Sequence, residues 1–560
     1  MPQINKIDLQ AKLANMEREA EERDAKRRAE KVDHAYIDTR VSPINIDALG
    51  LIPENEAREA HAVVIEQRKQ KIAIAAHDPT SEAVQEIVAR LASQGNEVTC
   101  YVASESSLAH VLSFYKFVQK AQEGITGKVE VKKEELAALQ KKVSSLDRVA
   151  NMLEEAEKET AKSTTGDILE IIIAGALVNR ASDIHLESGE SHGIVRLRID
   201  GILHDVPKKI KKTVYASILS RIKLLAELKL NVKTEPQDGR FSIAFGEKQV
   251  EVRVAVAPSE FGEVVVMRLL DPDAINISLA ELGLREDDRA IIEKELAEPN
   301  GLLVNTGPTG SGKTTTLYAF LRYKQSKEIK IITIEDPIEY HLEGIEQTQV
   351  DEEAGYTFAS GLRSLMRQDP DVILVGEIRD KETAEIGVQA ALTGHLVFST
   401  VHANDAAGAI PRLIDLGVRP GSIGPALNCV IAQRLVRRLC PACKQKKEVN
   451  AEYAAKIRAF MQKLPERVDK KIYQSPMLFE PKGCEACNEI GYKGRVAIYE
   501  LLKVTEAIQE LIGSEVGQLK IKEAALQKGM VTMQQDGILK VVRGITTPEE
   551  VAGVTGELLW

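Results

Sequence analysis

The feature that most constrains this chain is a glycine-rich segment, Gly307 to Thr314, which fits the phosphate-loop pattern G-x-x-x-x-G-K-T. An apolar run precedes it and residues 315–321 have a helical pattern, so the segment lies between a strand and a helix. In such a loop, backbone N–H groups and the positive end of the helix surround nucleotide phosphates. A glycine-rich turn without a ligand is the alternative, and it does not account for the flanking strand and helix. The sequence therefore predicts a nucleoside triphosphate site.

The predicted nucleotide-binding residues run from the loop into the start of the helix. Lys313 is expected to reach the β and γ oxygens, and Thr314 to bind Mg²⁺. The full set is Gly307, Pro308, Thr309, Gly310, Ser311, Gly312, Lys313, Thr314 and Thr315.

Length and charge narrow the class of protein. With 560 residues, the chain is too long for one hydrophobic core and predicts about three to five domains. Its net charge of −10 disfavours a protein whose main partner is nucleic acid, although a local basic patch can be hidden in an acidic total. No apolar run approaches the ~20 residues of a membrane span, and the charged N-terminus is not a signal peptide. We therefore expect a cytoplasmic protein with reduced thiols.

Changes in residue pattern divide the first part of the chain. Residues 1–40 carry mixed charges typical of an exposed helix, interpreted as a solvated arm in preference to a docking helix. Residues 41–118 alternate strand and helix signals without a catalytic constellation, which indicates an α/β docking module. Residues 119–166 contain apolar residues at heptad spacing, namely Leu136, Leu139, Val143, Leu146, Ala150 and Leu153. The repeat is too short for an independent coiled coil, so we predict a helical linker.

A further module, residues 167–272, contains two candidate strands on either side of Glu260-Phe261. In the first strand, valines alternate on one face and Arg253 takes the other. If the connection turns symmetrically, Arg253 lies opposite Arg268, and two guanidinium groups directly opposite repel each other. An anion such as a triphosphate would explain the pair, and two solvated strand arginines are the alternative.

Residues 273–435 contain the phosphate loop and three later apolar runs that are spaced like parallel strands. These runs are Ile331–Ile334, Val372–Val375 and Leu396–Thr400. Glu339, Glu377 and His402 follow their carboxyl ends, where sheets of this kind bind ligands. His395 and His402 bracket the last run, which favours a sensing or positioning role over that of a core histidine.

Two Cys-x-x-Cys pairs, Cys440/Cys443 and Cys484/Cys487, lie within residues 436–492. Four thiolates in this pattern are typical of a closed, structural Zn²⁺ site, and a disulfide pair is disfavoured in the cytoplasm. Cys100 and Cys429 are left over and are expected in packed interiors. Residues 493–560 are expected to form a helical C-terminal region.

Taken in order, these motifs resemble the hexameric ATPases of type II secretion and type IV pilus assembly, the GspE/PilB-like family. The shared segments are Ala181–His185, Pro236–Arg240, the phosphate loop, Glu335–Glu339, Gly376-Glu377 and Thr393–Asn404. The resemblance covers residues 45–557 and implies an α/β fold with a RecA-like P-loop NTPase core. It also implies a PAS-like module at 167–272, a small N-terminal α/β module, and a helical, zinc-containing C-terminal region.

The resemblance assigns roles to individual residues. Glu377 would be the Walker B glutamate, and Glu339 a carboxylate close to the attacking water. His395 and His402 would be the His-box pair, and Arg253 and Arg268 would reach the nucleotide from the neighbouring module. The implied cofactors are ATP, Mg²⁺ and structural Zn²⁺. Because the Walker B strand ends in Gly-Glu and not in Asp, Glu377 is expected to help hold Mg²⁺ only through water.

The resemblance further implies a homohexamer, peripheral at the inner membrane, that pushes a membrane platform protein and extrudes pilin with cytoplasmic assembly partners. The alternative is a nucleic-acid translocase with the same RecA-like core, which the acidic total disfavours. A scaffold that barely hydrolyses nucleotide fits poorly with the intact set of charged residues. The motifs do not separate pilus assembly from type II secretion. Residues 1–120 lack the repeated Leu-Gly-x-x-Leu segments that mark a cyclic di-GMP module in some relatives, so that ligand is not predicted.

Overall fold

A computed structural model of the chain describes residues 6–40, 42, 44, 46–68, 70–115, 128–131, 142–158, 165–245, 248–473 and 476–560. Two compact units divide the chain: an N-terminal unit of residues 1–198 and 203–269, and a C-terminal unit of residues 199–202 and 270–560. Much of the predicted linker, including Leu136 and Leu139, lies outside the described residues. Within the part that is described, no helix is both long and apolar enough to cross a membrane.

The N-terminal unit begins with a small α/β module. Its elements are α1 (Lys6–Val32), β1 (Ala35–Tyr36), α2 (Ile46–Leu49), α3 (Glu54–Glu59), β2 (Ala62–Arg68), β3 (Lys71–Ala76), α4 (Glu82–Ser93), β4 (Glu97–Val102) and α5 (Glu105–Leu112). The strands form one sheet in the order β1-β4-β3-β2. Ser81 and Ser104 cap α4 and α5 by accepting backbone N–H groups, so the polar residues ahead of both apolar patterns set the helix starts.

The predicted charged helix is present, but its second half packs against this module. Ala25 and Ala29, one turn apart, are buried. The Glu22 carboxylate accepts hydrogen bonds from the hydroxyls of Tyr36 at 2.6 Å and Ser104 at 2.7 Å. The interpretation as a solvated arm is therefore wrong for this half, because a narrow alanine stripe contacts the module between charged neighbours.

The second module of the N-terminal unit is a seven-stranded sheet with helices against it. Its elements are β5 (Lys128–Val131), α6 (Leu146–Lys158), α7 (Thr165–Val178), β6 (Ala181–Ser188), β7 (His192–Ile199), β8 (Ile202–Lys211), α8 (Lys212–Leu225), β9 (Gln237–Phe245), β10 (Lys248–Ser259) and β11 (Gly262–Leu270). The strand order is β5-β9-β10-β11-β6-β7-β8. The valines predicted on one face of β10 are buried, as the alternation requires.

The C-terminal unit is built on a second seven-stranded sheet, in the order β14-β13-β15-β16-β12-β17-β20. The first part contains α9 (Glu286–Ala297), β12 (Gly301–Thr306), α10 (Lys313–Lys324), β13 (Ile331–Glu335), β14 (Glu346–Gln349), α11 (Phe358–Leu365), β15 (Val372–Val375), α12 (Lys381–Leu392), β16 (Leu396–Val401), α13 (Ala409–Asp415), α14 (Pro420–Ala426) and β17 (Leu427–Leu439). Every residue of β12, β13, β15 and β16 is buried, which is why these strands are continuous apolar runs in the sequence.

The remaining elements follow β17. They are β18 (Gln445–Lys447), α15 (Ala451–Lys463), β19 (Leu478–Glu480), β20 (Tyr492–Lys503), α16 (Glu506–Gly513), α17 (Gln518–Gln527), α18 (Met533–Val542) and α19 (Pro548–Thr555). β20 pairs antiparallel with β17 at the edge of the main sheet, whereas the other strand pairs reported for that sheet are parallel. The predicted boundary at 435/436 therefore cuts through a strand, and the region expected to be helical begins with a strand of the core.

A buried charge cluster joins α9 to α18. Asp536 is fully buried, 2.9 Å from Arg285 Nη1 and 2.5 Å from Lys540 Nζ. It also accepts the backbone N–H of Tyr499 at 2.8 Å. Burial alone would raise the pKa of Asp536, but Lys540 and Arg285 outweigh it and lower that pKa, so the carboxylate is held in its charged form.

We expect Asp536→Ala to lower the free energy of unfolding of this unit by about 3 kcal/mol or more, because two buried cations lose their shared partner. Denaturant unfolding of the full chain checks this. Asp415→Ala, which removes an exposed aspartate of α13, is the control. A loss for Asp536→Ala no larger than that of the control would contradict the stabilising role of the cluster.

Candidate active site

The phosphate loop connects buried strand β12 to helix α10, as the motif predicts. Gly307 and Gly312 have φ angles of 152° and 89°, which side-chain-bearing residues rarely adopt. A Cβ atom at Gly307 would lie 2.6 Å from the backbone oxygen of Gln433, so the loop also passes too close to β17 for a larger residue. Both glycines are therefore required by the backbone path of the loop.

Lys313 opens α10 and folds back over the loop. Its Nζ atom donates to the carbonyl oxygens of Gly307 at 2.9 Å and Pro308 at 3.1 Å. Burial lowers the pKa of Lys313, the nearby Glu377 carboxylate opposes this, and the Arg434 guanidinium adds to it. Thr314 is exposed in the first turn of the same helix, where its hydroxyl is accessible to a cation. The loop thus presents one ammonium group and one hydroxyl where phosphates and Mg²⁺ are held in such sites.

Glu377 follows the carboxyl end of β15, on the same edge of the sheet as the loop. Its Oε2 atom lies 2.5 Å from Arg379 Nε and 3.6 Å from His402 Nε2. The Thr400 hydroxyl donates to the carbonyl oxygen of Gly376 at 2.8 Å and fixes the turn that carries Glu377. The structure therefore brings together Lys313, Glu377 and His402. Arg379 belongs to the same group and was not singled out from the sequence, where it is one of several charges after β15.

The acidic segment after β13 is anchored by Glu335. This buried carboxylate accepts hydrogen bonds from the Tyr318 hydroxyl at 2.5 Å, the Thr333 hydroxyl at 2.6 Å and Gln347 Nε2 at 3.1 Å. Since Tyr318 lies on α10, the bond ties the phosphate-loop helix to the segment that carries Glu339. Burial and then the charges of Glu335 and Glu339 raise the pKa of Tyr318, which therefore stays protonated as the donor.

His395 lies apart from this group within the chain. It precedes β16, and its backbone oxygen accepts the N–H of Gly301 at the start of β12. Its Nδ1 atom is 3.0 Å from the carbonyl oxygen of Ala390 on α12. The strand between the two histidines places them roughly 20 Å apart at ~3.3 Å per residue. Of the two predicted histidines, only His402 lies on the same edge of the sheet as Lys313 of its own chain.

The predicted arginines lie on the large sheet of the N-terminal unit. β10 and β11 are neighbours that flank Glu260-Phe261, as expected. Arg253 is directly opposite Arg240 of β9, so it has an arginine on the neighbouring strand. The sequence did not single out Arg240 because the Pro236–Arg240 motif was not predicted to be a strand.

Arg268 has a carboxylate partner on the next strand. It is opposite Asp183 of β6, and its Nε atom lies 3.0 Å from Asp183 Oδ1. Arg198 Nε is 3.5 Å from the other oxygen of the same carboxylate. Asp183 therefore offsets part of the positive charge, while the Arg268 side chain is still more than half exposed and accessible to an anion.

The four predicted zinc ligands converge at one end of β17 and β20. The Cys440–Cys484, Cys443–Cys487 and Cys484–Cys487 sulfur pairs are 4.0, 3.8 and 3.7 Å apart. All four Sγ atoms lie within 4.8 Å of one another. A tetrahedral ion with Zn–S bonds of about 2.3 Å requires sulfur separations of about 3.8 Å, so the residues fit Zn²⁺. None of the pairs is a disulfide, since all six cysteines are free.

Within the cluster, the surroundings of Cys487 favour its thiolate form. Cys487 Sγ accepts backbone N–H groups from Gly491 at 3.2 Å and Cys484 at 3.3 Å. Burial would raise the pKa of Cys487, but these bonds outweigh it and lower that pKa. Because Cys440 follows β17 and Cys487 precedes β20, a metal here would clamp the ends of two paired strands.

Comparison with known proteins identifies relatives over most of the chain. A family model described as type II/IV secretion system protein matches residues 157–553, and a MshEN domain model matches residues 33–116. Type II secretion system protein E of Pseudomonas aeruginosa is 46% identical over 390 residues, which are 70% of this chain and 75% of that protein. The type IV pilus assembly ATPase PilB of Myxococcus xanthus is 38% identical over 519 residues, covering 91% of this chain and 87% of that protein.

A solved structure agrees on the fold. The ATPase DotB of Yersinia pseudotuberculosis matches with a TM-score of 0.51 and 21% identity, covering 70% of this chain and 93% of that chain. The family resemblance deduced from the motifs and the expected RecA-like core are confirmed by these matches.

Proposed function

We propose that this chain, which belongs to the type II/IV secretion system protein family, is an ATPase that powers pilin assembly at the inner membrane, in type IV pilus assembly or type II secretion. The observation that carries the proposal is the phosphate loop with Lys313, Glu377 and His402 on one sheet edge. The Myxococcus relative, named an ATPase, spans 91% of the chain. The alternative of a nucleic-acid translocase has no counterpart among the relatives reported above.

Each residue of the site has a separate role in ATP hydrolysis. Backbone N–H groups within the loop and the first turn of α10 bind the phosphates, and Lys313 neutralises charge on the β and γ oxygens. Thr314 would hold Mg²⁺, which supplies charge neutralisation at the phosphates when bound. Glu377 orients the attacking water and accepts its proton, with His402 and Arg379 fixing the carboxylate. Glu339 lies on the segment anchored by Glu335 and adds a second carboxylate on the water side.

The remaining charge neutralisation comes from arginines of an adjacent subunit. Arg253 and Arg268 lie on a module that precedes the core, where the strand register places Arg253 opposite Arg240 and Arg268 opposite Asp183. Arg253 and Arg240 repel each other, and a bound anion beside them would relieve that repulsion. In a homohexameric ring, Arg253 and Arg268 would complete the active site of the neighbouring subunit, so hydrolysis would depend on how the subunits move relative to one another. This dependence is how ATP hydrolysis would produce force on a membrane platform protein.

Mixing subunits tests this arrangement. Lys313→Ala and Arg253→Ala/Arg268→Ala are each expected to reduce phosphate release about 100-fold or more alone. In a 1:1 mixture with random assembly, about a quarter of the sites combine an intact Lys313 with intact arginines from the adjacent subunit, so activity should return in part. Magnesium-dependent phosphate release is the measurement.

Parent subunits mixed with Lys313→Ala subunits provide the reference, because about half of their sites stay intact. If the mixture of the two variants stays inactive while this reference is active, the arginines do not act across subunits. If the arginine variant alone hydrolyses ATP like the parent, they have no part in hydrolysis. Absence of phosphate release from the parent in every oligomeric form contradicts the proposed function.

A further inference from the structure

Gln433 lies directly behind the phosphate loop. β17 runs parallel to β12, and the last pair of the two strands is Ala432 with Thr306. The next residue on each strand is therefore Gln433 on one side and Gly307, the first loop residue, on the other. Gln433 is 1% exposed, so its amide must find its hydrogen-bond partners inside the protein.

Its amide makes three hydrogen bonds, each to a different part of the nucleotide site. The Oε1 atom accepts from Asn305 Nδ2 at 2.8 Å, at the end of β12. It also accepts from the Thr316 hydroxyl at 2.9 Å, in the first turn of α10. The Nε2 atom donates to the backbone oxygen of Ser311 at 2.7 Å, inside the loop. All three partners are buried.

The bond to Ser311 has a direct consequence for an anion in the loop. A phosphate loop binds its ligand with N–H groups, so its carbonyl oxygens must point away from the phosphates. Gln433 Nε2 gives the Ser311 carbonyl a partner on the β17 side, so the N–H of Gly312 in the same peptide unit points the opposite way, toward the ligand. The backbone of Gln433 also approaches Gly307 so closely that it limits the loop on its other side.

We propose that Gln433 is a positioning residue that preorganises the phosphate loop for the triphosphate. The inference deepens the proposed function and rests on it, because it concerns the same nucleotide site. A loop already held in its binding shape loses less conformational freedom when the ligand binds, so Gln433 acts on affinity more than on the chemical step. A role limited to satisfying buried groups would instead affect stability and leave affinity unchanged.

The test compares Gln433→Leu with the parent and with Gln389→Leu, which makes the same replacement at an exposed position of α12. We expect Gln433→Leu to raise the dissociation constant of a fluorescent ATP analogue and the KM for ATP about tenfold or more, while kcat changes much less. Thermal melting without nucleotide reports any loss of stability separately. Gln389→Leu should match the parent in all of these.

Gln433→Glu provides a second variant, because it keeps the size of the side chain and the acceptor for Asn305 and Thr316. The glutamate loses the donor to Ser311 and places a negative charge behind the loop, where it repels the phosphates. Weaker binding of the analogue is therefore expected for this variant too. Parent-like affinity in folded Gln433→Leu, or in Gln433→Glu if the leucine variant does not fold, overturns the inference. Failure of the parent itself to bind the analogue would instead contradict the proposed function.

Discussion

Replacing Glu377 with Gln is expected to lower kcat for ATP hydrolysis by at least about 100-fold while ATP affinity stays within a few-fold of the parent. Glutamine preserves the size of the side chain at the end of β15 but cannot accept the proton of the attacking water. The phosphate contacts come from the loop and Lys313, which the substitution does not touch. Single-turnover phosphate release and equilibrium binding of an ATP analogue separate the two effects.

Glu382→Gln is the matched control, since Glu382 is an exposed carboxylate on α12 that pairs with Arg363. It should hydrolyse ATP at the parent rate. Near-normal turnover by Glu377→Gln would remove Glu377 from the mechanism and transfer the role of base to Glu339, the other carboxylate on that side. A loss of ATP affinity that equals the loss of rate would assign Glu377 to binding.

The sequence predicted the parts of the fold that follow from local pattern. Each continuous apolar run after the phosphate loop is a parallel strand, because strands covered by helices on both faces are buried at every position and therefore mostly apolar. The loop itself was predictable because Gly307 and Gly312 have no substitute at their φ angles. Constraints of this kind act on single residues or short segments, so the residue types at those positions reveal them.

Features that depend on which distant segments meet were not predictable in the same way. Gln433 has no motif of its own, and its role follows only from the pairing of β17 with β12. His395 and His402 are symmetric about an apolar run in the sequence, but a strand separates its two ends by its full length. β20 joins the core sheet although its residues follow the cysteine cluster. In each case the positions of these residues depend on how strands are arranged in the sheet, which the local sequence pattern does not specify.

Loss of the metal is expected to have the largest effect on stability. We expect about one Zn²⁺ per chain in the purified protein and none in Cys484→Ser, because a structural site needs its full set of thiolates. Zinc binding contributes ~10 kcal/mol or more in small zinc-dependent folds, and part of this would hold the ends of β17 and β20 together in this chain. Residues 440–491 should therefore exchange amide hydrogens faster in the variant, and the free energy of unfolding should fall by several kcal/mol.

Nucleotide binding distinguishes local opening from general unfolding in that variant. The phosphate loop connects β12 to α10, and the contacts of Lys313 lie within the loop. ATP-analogue binding by Cys484→Ser should therefore persist at temperatures where the cysteine segment is already open. Cys100→Ser, which removes a cysteine outside the cluster, should keep both the zinc and the parent stability. A zinc content well below one per chain in the parent, with all four thiols of the cluster freely titratable, would show that the sulfur geometry serves packing and not a metal.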